Sequence, residues 1–159
     1  MTALVLASGS RYRAAQLAAL GVEFERDAPA LDESALPGEA PEALARRLAA
    51  AKARAVLARH PRALVLGGDQ VATLDGERLG KPGDAASARA QLARQSGRPV
   101  TFLSAVHLID GRDRRERSAL VATRATLRTL GAGEIARYVE RDRPLDCAGA
   151  FKVESLGIA

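Results

Sequence analysis

A few side chains along these 159 residues have the chemistry to handle a phosphoanhydride. Carboxylates can hold a divalent cation, and ammonium or guanidinium groups can hold phosphate oxygens. The densest stretch is Leu66-Gly67-Gly68-Asp69-Gln70-Val71, followed by Leu79-Gly80-Lys81-Pro82. It places an acid, Asp69, at the exit of an apolar strand and a lysine, Lys81, after a short hairpin. The two glycines permit close backbone approach, and strand carboxyl ends are where α/β sites collect. Gly80-Lys81-Pro82 is not a Walker A loop, because no Ser or Thr follows the lysine and the glycine spacing differs.

Four further segments offer matching chemistry. Leu6-Ala7-Ser8-Gly9-Ser10-Arg11-Tyr12-Arg13 reads as a strand-to-helix turn whose free N–H groups, hydroxyls and Arg13 could grip an anion. Taken alone, it is an ordinary serine cap with solvated arginines. Asp32-Glu33 lies in an acidic loop, and such acids are usually solvated. Lys52 is eight residues from Leu44 on a long helix, roughly 80° around it, so it reaches over the edge of the buried face. Asp146-Cys147-Ala148-Gly149-Ala150-Phe151-Lys152-Val153-Glu154 sets a lysine and an acid two apart, on one face if the segment is extended.

Other chemistries lack their residues. One cysteine and two histidines make neither an intrachain disulfide nor a zinc site. Cys147 reads as a small buried residue, His60 as a helix-end cap and His107 as structural. The net charge of +5 and the pI of about 10.1 would suit a polyanion partner. Yet no run of five or six like charges occurs, and aromatics are only 3%, so stacking on single strands is poorly supported. Charges interrupt every apolar run, and no signal-type segment opens the chain. A single-domain cytoplasmic protein without a membrane segment is expected.

The elements that must position these groups follow from periodicity. Strands are expected over 3–7, 22–27 and 63–67, a hairpin over 70–79 turning at Asp75-Gly76, and strands over 99–109 and 115–128. Helices are expected over 11–20, 41–60, 84–95 and 131–141, with Pro41 in a first turn and Gly21 and Gly97 as stops. Residues 145–159 read as irregular with one short strand. The class is α/β, with parallel βα units first and antiparallel hairpins after.

Taken in order, the blocks resemble the Maf family of nucleoside triphosphate pyrophosphatases. The matching blocks are Leu6-Ala7-Ser8-Gly9-Ser10 with Arg13, Asp32-Glu33, Arg47-Leu48-Ala49 through Lys52-Ala53, Gly68-Asp69-Gln70, Leu79-Gly80-Lys81-Pro82, and Pro144-Leu145-Asp146 through Glu154-Ser155-Leu156-Gly157. The resemblance implies an elongated mixed sheet flanked by helices with a central cleft, shared in outline with inosine triphosphate pyrophosphatases. It also implies hydrolysis between the α and β phosphates, a divalent cation (Mg²⁺ or Mn²⁺), and dimerisation. In that reading Asp69 and Glu33 hold the metal, and Asp69 activates water. Ser8, Arg13, Lys52 and Lys81 bind the phosphates, converging with Asp69 in one crevice.

Within the family the chain is similar to the branch acting on 7-methyl-GTP, on Gln70 after the acid and on the block from Cys147 to Glu154. Tyr12 stands where that branch tends to have tryptophan. Tyr12, Gln70 and Glu154 are then the base-reading residues. Members of the family continue beyond the last block with a further strand and helix, which the domain over 1–159 would lack. Two other readings remain: a dTTP/UTP pyrophosphatase of the same family, and a non-catalytic nucleotide- or nucleic-acid-binding protein. The basic charge favours the last, and acids placed beside a phosphate site disfavour it.

Overall fold

The computed structural model describes residues 3–158. In chain order the elements are β1 (Leu4–Ala7), α1 (Arg11–Ala18), β2 (Glu25–Arg26), α2 (Pro41–Leu57), β3 (Leu64–Leu74), β4 (Glu77–Leu79), α3 (Ala85–Gln95), β5 (Pro99–Asp110), β6 (Glu116–Thr126) and α4 (Ala132–Asp142), with 3₁₀ turns at Ala148–Ala150 and Leu156–Ile158. Among the described residues the strands run β2-β1-β3-β5-β6, with β4 paired to β3. The expected α/β class and its change from parallel to antiparallel pairing are both present. Thus β1 pairs parallel with β2 and β3, and β3 pairs antiparallel with β4.

The chain divides into two compact units, residues 1–69 with 104–121, and residues 70–103 with 122–159. The first is built on the β1–β3 register, Val5 opposite Val65 and Ala7 opposite Gly67. Its core joins Val5, Ala7, Ala53, Val56, Leu57, Ala63, Val65 and Ile109. Alanine at 49 and 53 and glycine at 67 bring α2 unusually close to β3. A Cβ at Gly67 would sit inside the Ala49 carbonyl oxygen and 2.8 Å from the Ala53 nitrogen.

The second unit packs α3 and α4 around Leu74, Leu92, Val100, Phe102, Ile135 and Val139. Local chemistry sets its boundaries. Asp75 and Gly76 both take positive φ, 50° and 82°, as a tight two-residue hairpin turn requires. Asp84 caps α3, its Oδ1 accepting from the Ser87 amide at 2.8 Å. Arg143 enters the left-handed region at φ 44°, and the Lys152 ammonium donates to the carbonyls of Asp142 (2.6 Å) and Arg143 (3.1 Å), closing the end of α4.

Several expectations are corrected. β3 does not end at Gly67 but runs unbroken to Leu74, so Asp69 lies mid-strand. The glycines admit α2 and Arg13 to close contact there without breaking the ladder. The strand expected over 22–27 shrinks to Glu25–Arg26. No strand forms in the described part of 145–159, because Gly149 at φ 74° and Ala150 at φ 53° curl it into a turn. Lys152 is therefore buried while Glu154 is exposed, and the two do not share an extended face. Cys147 is half-buried beside Asp146 rather than enclosed. The His60 ring pairs with Asp27 at 2.9 Å instead of capping α2. His107 is structural as expected, buried with its Nε2 3.0 Å from Glu116.

Candidate active site

Parallel pairing of β1 with β3 stops at Ala7 opposite Gly67. Beyond that point β1 turns into α1 while β3 continues. The turn from Ser8 and the Gly68-Asp69 step therefore lie at the carboxyl end of the parallel pair. The sequence placed Asp69 at a strand exit, and the equivalent exit is where its parallel neighbour stops.

Ser8 is buried, and its Oγ accepts from the Ser10 amide at 3.1 Å and from Arg13 Nη1 at 2.7 Å. Ser10 caps α1, its Oγ accepting from the Arg13 amide at 3.3 Å. Gly68 makes room for the guanidinium: a Cβ there would lie 2.9 Å from Arg13 Nε. Burial lowers the pKa of Arg13, opposed by the charges of Asp69 and Glu33. Arginine keeps its charge regardless. Arg26 adds a tie to the same turn, donating from Nη2 to the Gly9 carbonyl at 2.9 Å.

Lys52 is the centre of the cluster. Its Nζ lies 2.7 Å from Asp69 Oδ1 and 2.8 Å from Glu33 Oε1. Only 9% of its side chain is exposed and 10% of that of Asp69, against 49% for Glu33. The helical spacing put Lys52 at the edge of the buried face, yet the structure puts it fully inside. The small residues Ala49, Ala53 and Gly67 draw α2 so close that the long stem is covered. Burial raises the pKa of Asp69, opposed by the hydrogen bond and charge of Lys52, while Glu33 adds a further upward push. The site thus holds a carboxylate that gains from a cation and resists charge without one.

Glu33 rides on the irregular segment between β2 and α2. That segment is tied down by the pair Arg47–Glu39. Arg47 Nε and Nη2 donate to Glu39 Oε1 and Oε2 at 2.6 and 2.8 Å, and Nη2 also donates to the Ser34 carbonyl at 2.9 Å. Arg47 opens one of the blocks that carry the resemblance, but only its place in the first half of a helix, eight residues after an acid in the preceding loop, hints at the pair itself.

The structure therefore brings together Ser8, Arg13, Glu33, Lys52 and Asp69. Tyr12 stands on α1 with the Arg11 guanidinium 4.8 Å from its ring centroid. Gln70, Lys81 and Glu154 belong to the second unit, each exposed. There the Gly80 carbonyl accepts from Gln91 Nε2 at 3.1 Å and from the Gly149 amide at 3.3 Å, fixing the backbone beside Lys81.

Among the described residues no group of three or more His, Cys, Asp or Glu gathers to hold a metal ion. Two carboxylates nevertheless converge on one ammonium, at 2.7 and 2.8 Å. That donor set fits a divalent cation bound by one or two carboxylates and completed by substrate phosphate oxygens and water. No helix among the described residues is long and apolar enough to cross a membrane.

Residues 3–159 match the Maf-like protein family. The chain is 53% identical over 158 residues to a 7-methyl-GTP pyrophosphatase of Xanthomonas campestris pv. campestris strain 8004, covering 99% of this chain and 82% of that protein. It is 51% identical over 155 residues to a 7-methyl-GTP pyrophosphatase of Aromatoleum aromaticum, covering 98% and 80%. Among solved structures, a HAM1 protein from Coxiella burnetii superposes with a TM-score of 0.54 at 18% identity, covering 79% of this chain and 73% of that one. At that identity the likeness establishes the fold.

Proposed function

The chain belongs to the Maf-like protein family, and from that premise we propose that it is a nucleoside triphosphate pyrophosphatase acting on 7-methyl-GTP. The product pair is the nucleoside monophosphate and pyrophosphate. The observation that supports this best is the Lys52 ammonium held between Asp69 and Glu33, beside the Ser8–Arg13 pair. A site meant only for anions gains nothing from two carboxylates at its centre.

Asp69 orients a water and takes its proton as the water oxygen bonds to the α phosphorus and the bond to the bridging oxygen breaks. The electron pair leaves with the pyrophosphate. Lys52 and Arg13 hold the phosphate oxygens and offset the charge that grows on the leaving group, while the Ser8 turn offers N–H donors. A bound Mg²⁺ or Mn²⁺, held by Glu33 and Asp69, would supply charge neutralisation and lower the pKa of a bound water. Lys81 is assigned as a further phosphate-binding cation on the resemblance.

Base choice has a physical rationale. N7-methylation makes guanine cationic, and Tyr12 offers a ring face already suited to a cation, as Arg11 demonstrates. Glu154 can accept from guanine N1 and the exocyclic amine, and Gln70 can add a hydrogen bond. Pyrimidines offer neither feature. We also assign the chain to a reducing, cytoplasmic setting, which suits its single thiol.

The test is a nucleotide panel with Mg²⁺ or Mn²⁺, scored for pyrophosphate. We expect 7-methyl-GTP to give the highest kcat/KM, above GTP, dTTP and UTP. Preference for dTTP and UTP would move the chain to the other branch. Binding without pyrophosphate release from any nucleotide would overturn the enzyme reading.

A further inference from the structure

Glu33 has little of its own to hold it in place. It sits in an irregular stretch that includes Pro37 and Gly38, and about half of its side chain faces solvent. Its contact with Lys52 is the one that substrate must compete for, since the same ammonium is assigned to phosphate. A second hold is therefore needed, and it is present. The Arg47 guanidinium spans the Glu39 carboxylate and the Ser34 carbonyl. Glu39 in turn accepts from the Leu36 amide at 3.0 Å, and Asp32 accepts from the Ser34 amide at 2.9 Å. The Glu39 side chain is only 8% exposed, so this is a partly desolvated bidentate pair rather than a loose surface contact. Arg47 also lies on the helix that carries Lys52, five residues earlier. One rigid element thus grips the Glu33 side chain through Lys52 and the carbonyl of the next residue, Ser34, through Arg47.

We propose that Arg47, through Glu39 and the Ser34 carbonyl, is a positioning residue for Glu33. This inference rests on the pyrophosphatase reading. A lysine cannot replace it, because the hold depends on a planar fork donating to two carboxylate oxygens and a carbonyl at once.

The test is a double-mutant cycle on full-length protein, with Arg47→Ala, Glu33→Gln and the pair, read as kcat and KM on 7-methyl-GTP. Arg47→Ala should lower kcat about 10- to 100-fold, the scale of a misplaced group, with KM changed far less. On the Glu33→Gln background it should cost less than about threefold, because Glu33 is the route by which it acts. Arg47→Lys and Glu39→Gln should each behave like Arg47→Ala. Independent, multiplying losses would overturn the inference, since a merely structural arginine gives that pattern. Hydrogen exchange at the amides of residues 34–36 supplies the second arm. It should accelerate roughly tenfold in Arg47→Ala and in Glu39→Gln, about the effect of losing one charge-assisted bond. Unchanged exchange overturns the clamp whether or not wild type turns over. If wild type itself releases no pyrophosphate, the function reading fails while the exchange arm still decides the clamp. Should Arg47→Ala fail to fold, Glu39→Gln enters the cycle in its place.

Discussion

Replacing Lys52 by methionine keeps the length of the stem and removes the charge. Asp69, 10% exposed, then faces Glu33 without the ammonium between them. Removing one partner of a buried pair costs about 3–5 kcal/mol. Here the lower end applies, because Glu33 is half solvated and Arg13 still acts on Asp69. For a chain of this size, a loss of about 3 kcal/mol corresponds to a melting point roughly 6–12 °C lower. The loss must depend on pH. Burial already raises the pKa of Asp69 above its unfolded value, and losing Lys52 raises it further. A carboxyl raised in the folded state carries its full penalty above the folded pKa. It sheds that penalty as pH falls through the folded pKa towards the unfolded value of about 3.9.

The Lys52→Met deficit, measured by urea unfolding at pH 8, 6.5 and 5, should therefore shrink as the pH is lowered. The double variant Lys52→Met/Asp69→Asn should recover most of the stability and none of the activity, because both members of the pair become neutral. A deficit of equal size at every pH, unrelieved in the double variant, would refute the claim that Lys52 neutralises a buried carboxylate.

Three other outcomes follow from the same geometry. Since burial raises the pKa of Asp69, its carboxyl in metal-free wild type should titrate above about pH 3.9 by NMR; a midpoint at or below that value contradicts the buried setting of this carboxylate. Gly67→Ala should destabilise the protein by about 1–3 kcal/mol in thermal melts, because the new methyl group meets α2 backbone rather than a flexible side chain. Glu154→Gln should reduce kcat/KM on 7-methyl-GTP more than on other triphosphates, and equal losses on all of them would remove Glu154 from base reading.

Turn and strand punctuation marked Ser8–Ser10 and Asp69 in the sequence, while Arg13, Glu33 and Lys52 entered the site only through the family resemblance. Ser8-Gly9-Ser10 announces a helix start, Asp75-Gly76 announces a hairpin, and both hold in the structure. The glycine pair at 67–68 pointed to a close approach, and α2 and Arg13 are what approach. What escaped the sequence was non-local. No pattern within 64–74 tells that β3 continues past its glycines, because its neighbours there come from elsewhere in the chain, β5 alongside it and β4 paired to residues 72–74. The depth of Lys52 depends on Ala49 one turn before it, on the adjacent Ala53 and on a glycine in another element. The Arg47–Glu39 clamp crosses a loop-to-helix boundary where periodicity is silent. The short strand expected near the C-terminal block was lost to Gly149, whose positive φ turns the chain.

The most direct test of the account is product analysis in ¹⁸O-labelled water with 7-methyl-GTP, comparing wild type with Asp69→Asn. Attack at the α phosphorus should give one pyrophosphate per monophosphate, with the label on the monophosphate. The rate should be lower by on the order of 10²–10⁴ in a variant that remains folded at the assay temperature. Release of orthophosphate, label in the pyrophosphate, or undiminished turnover by Asp69→Asn would contradict this mechanism.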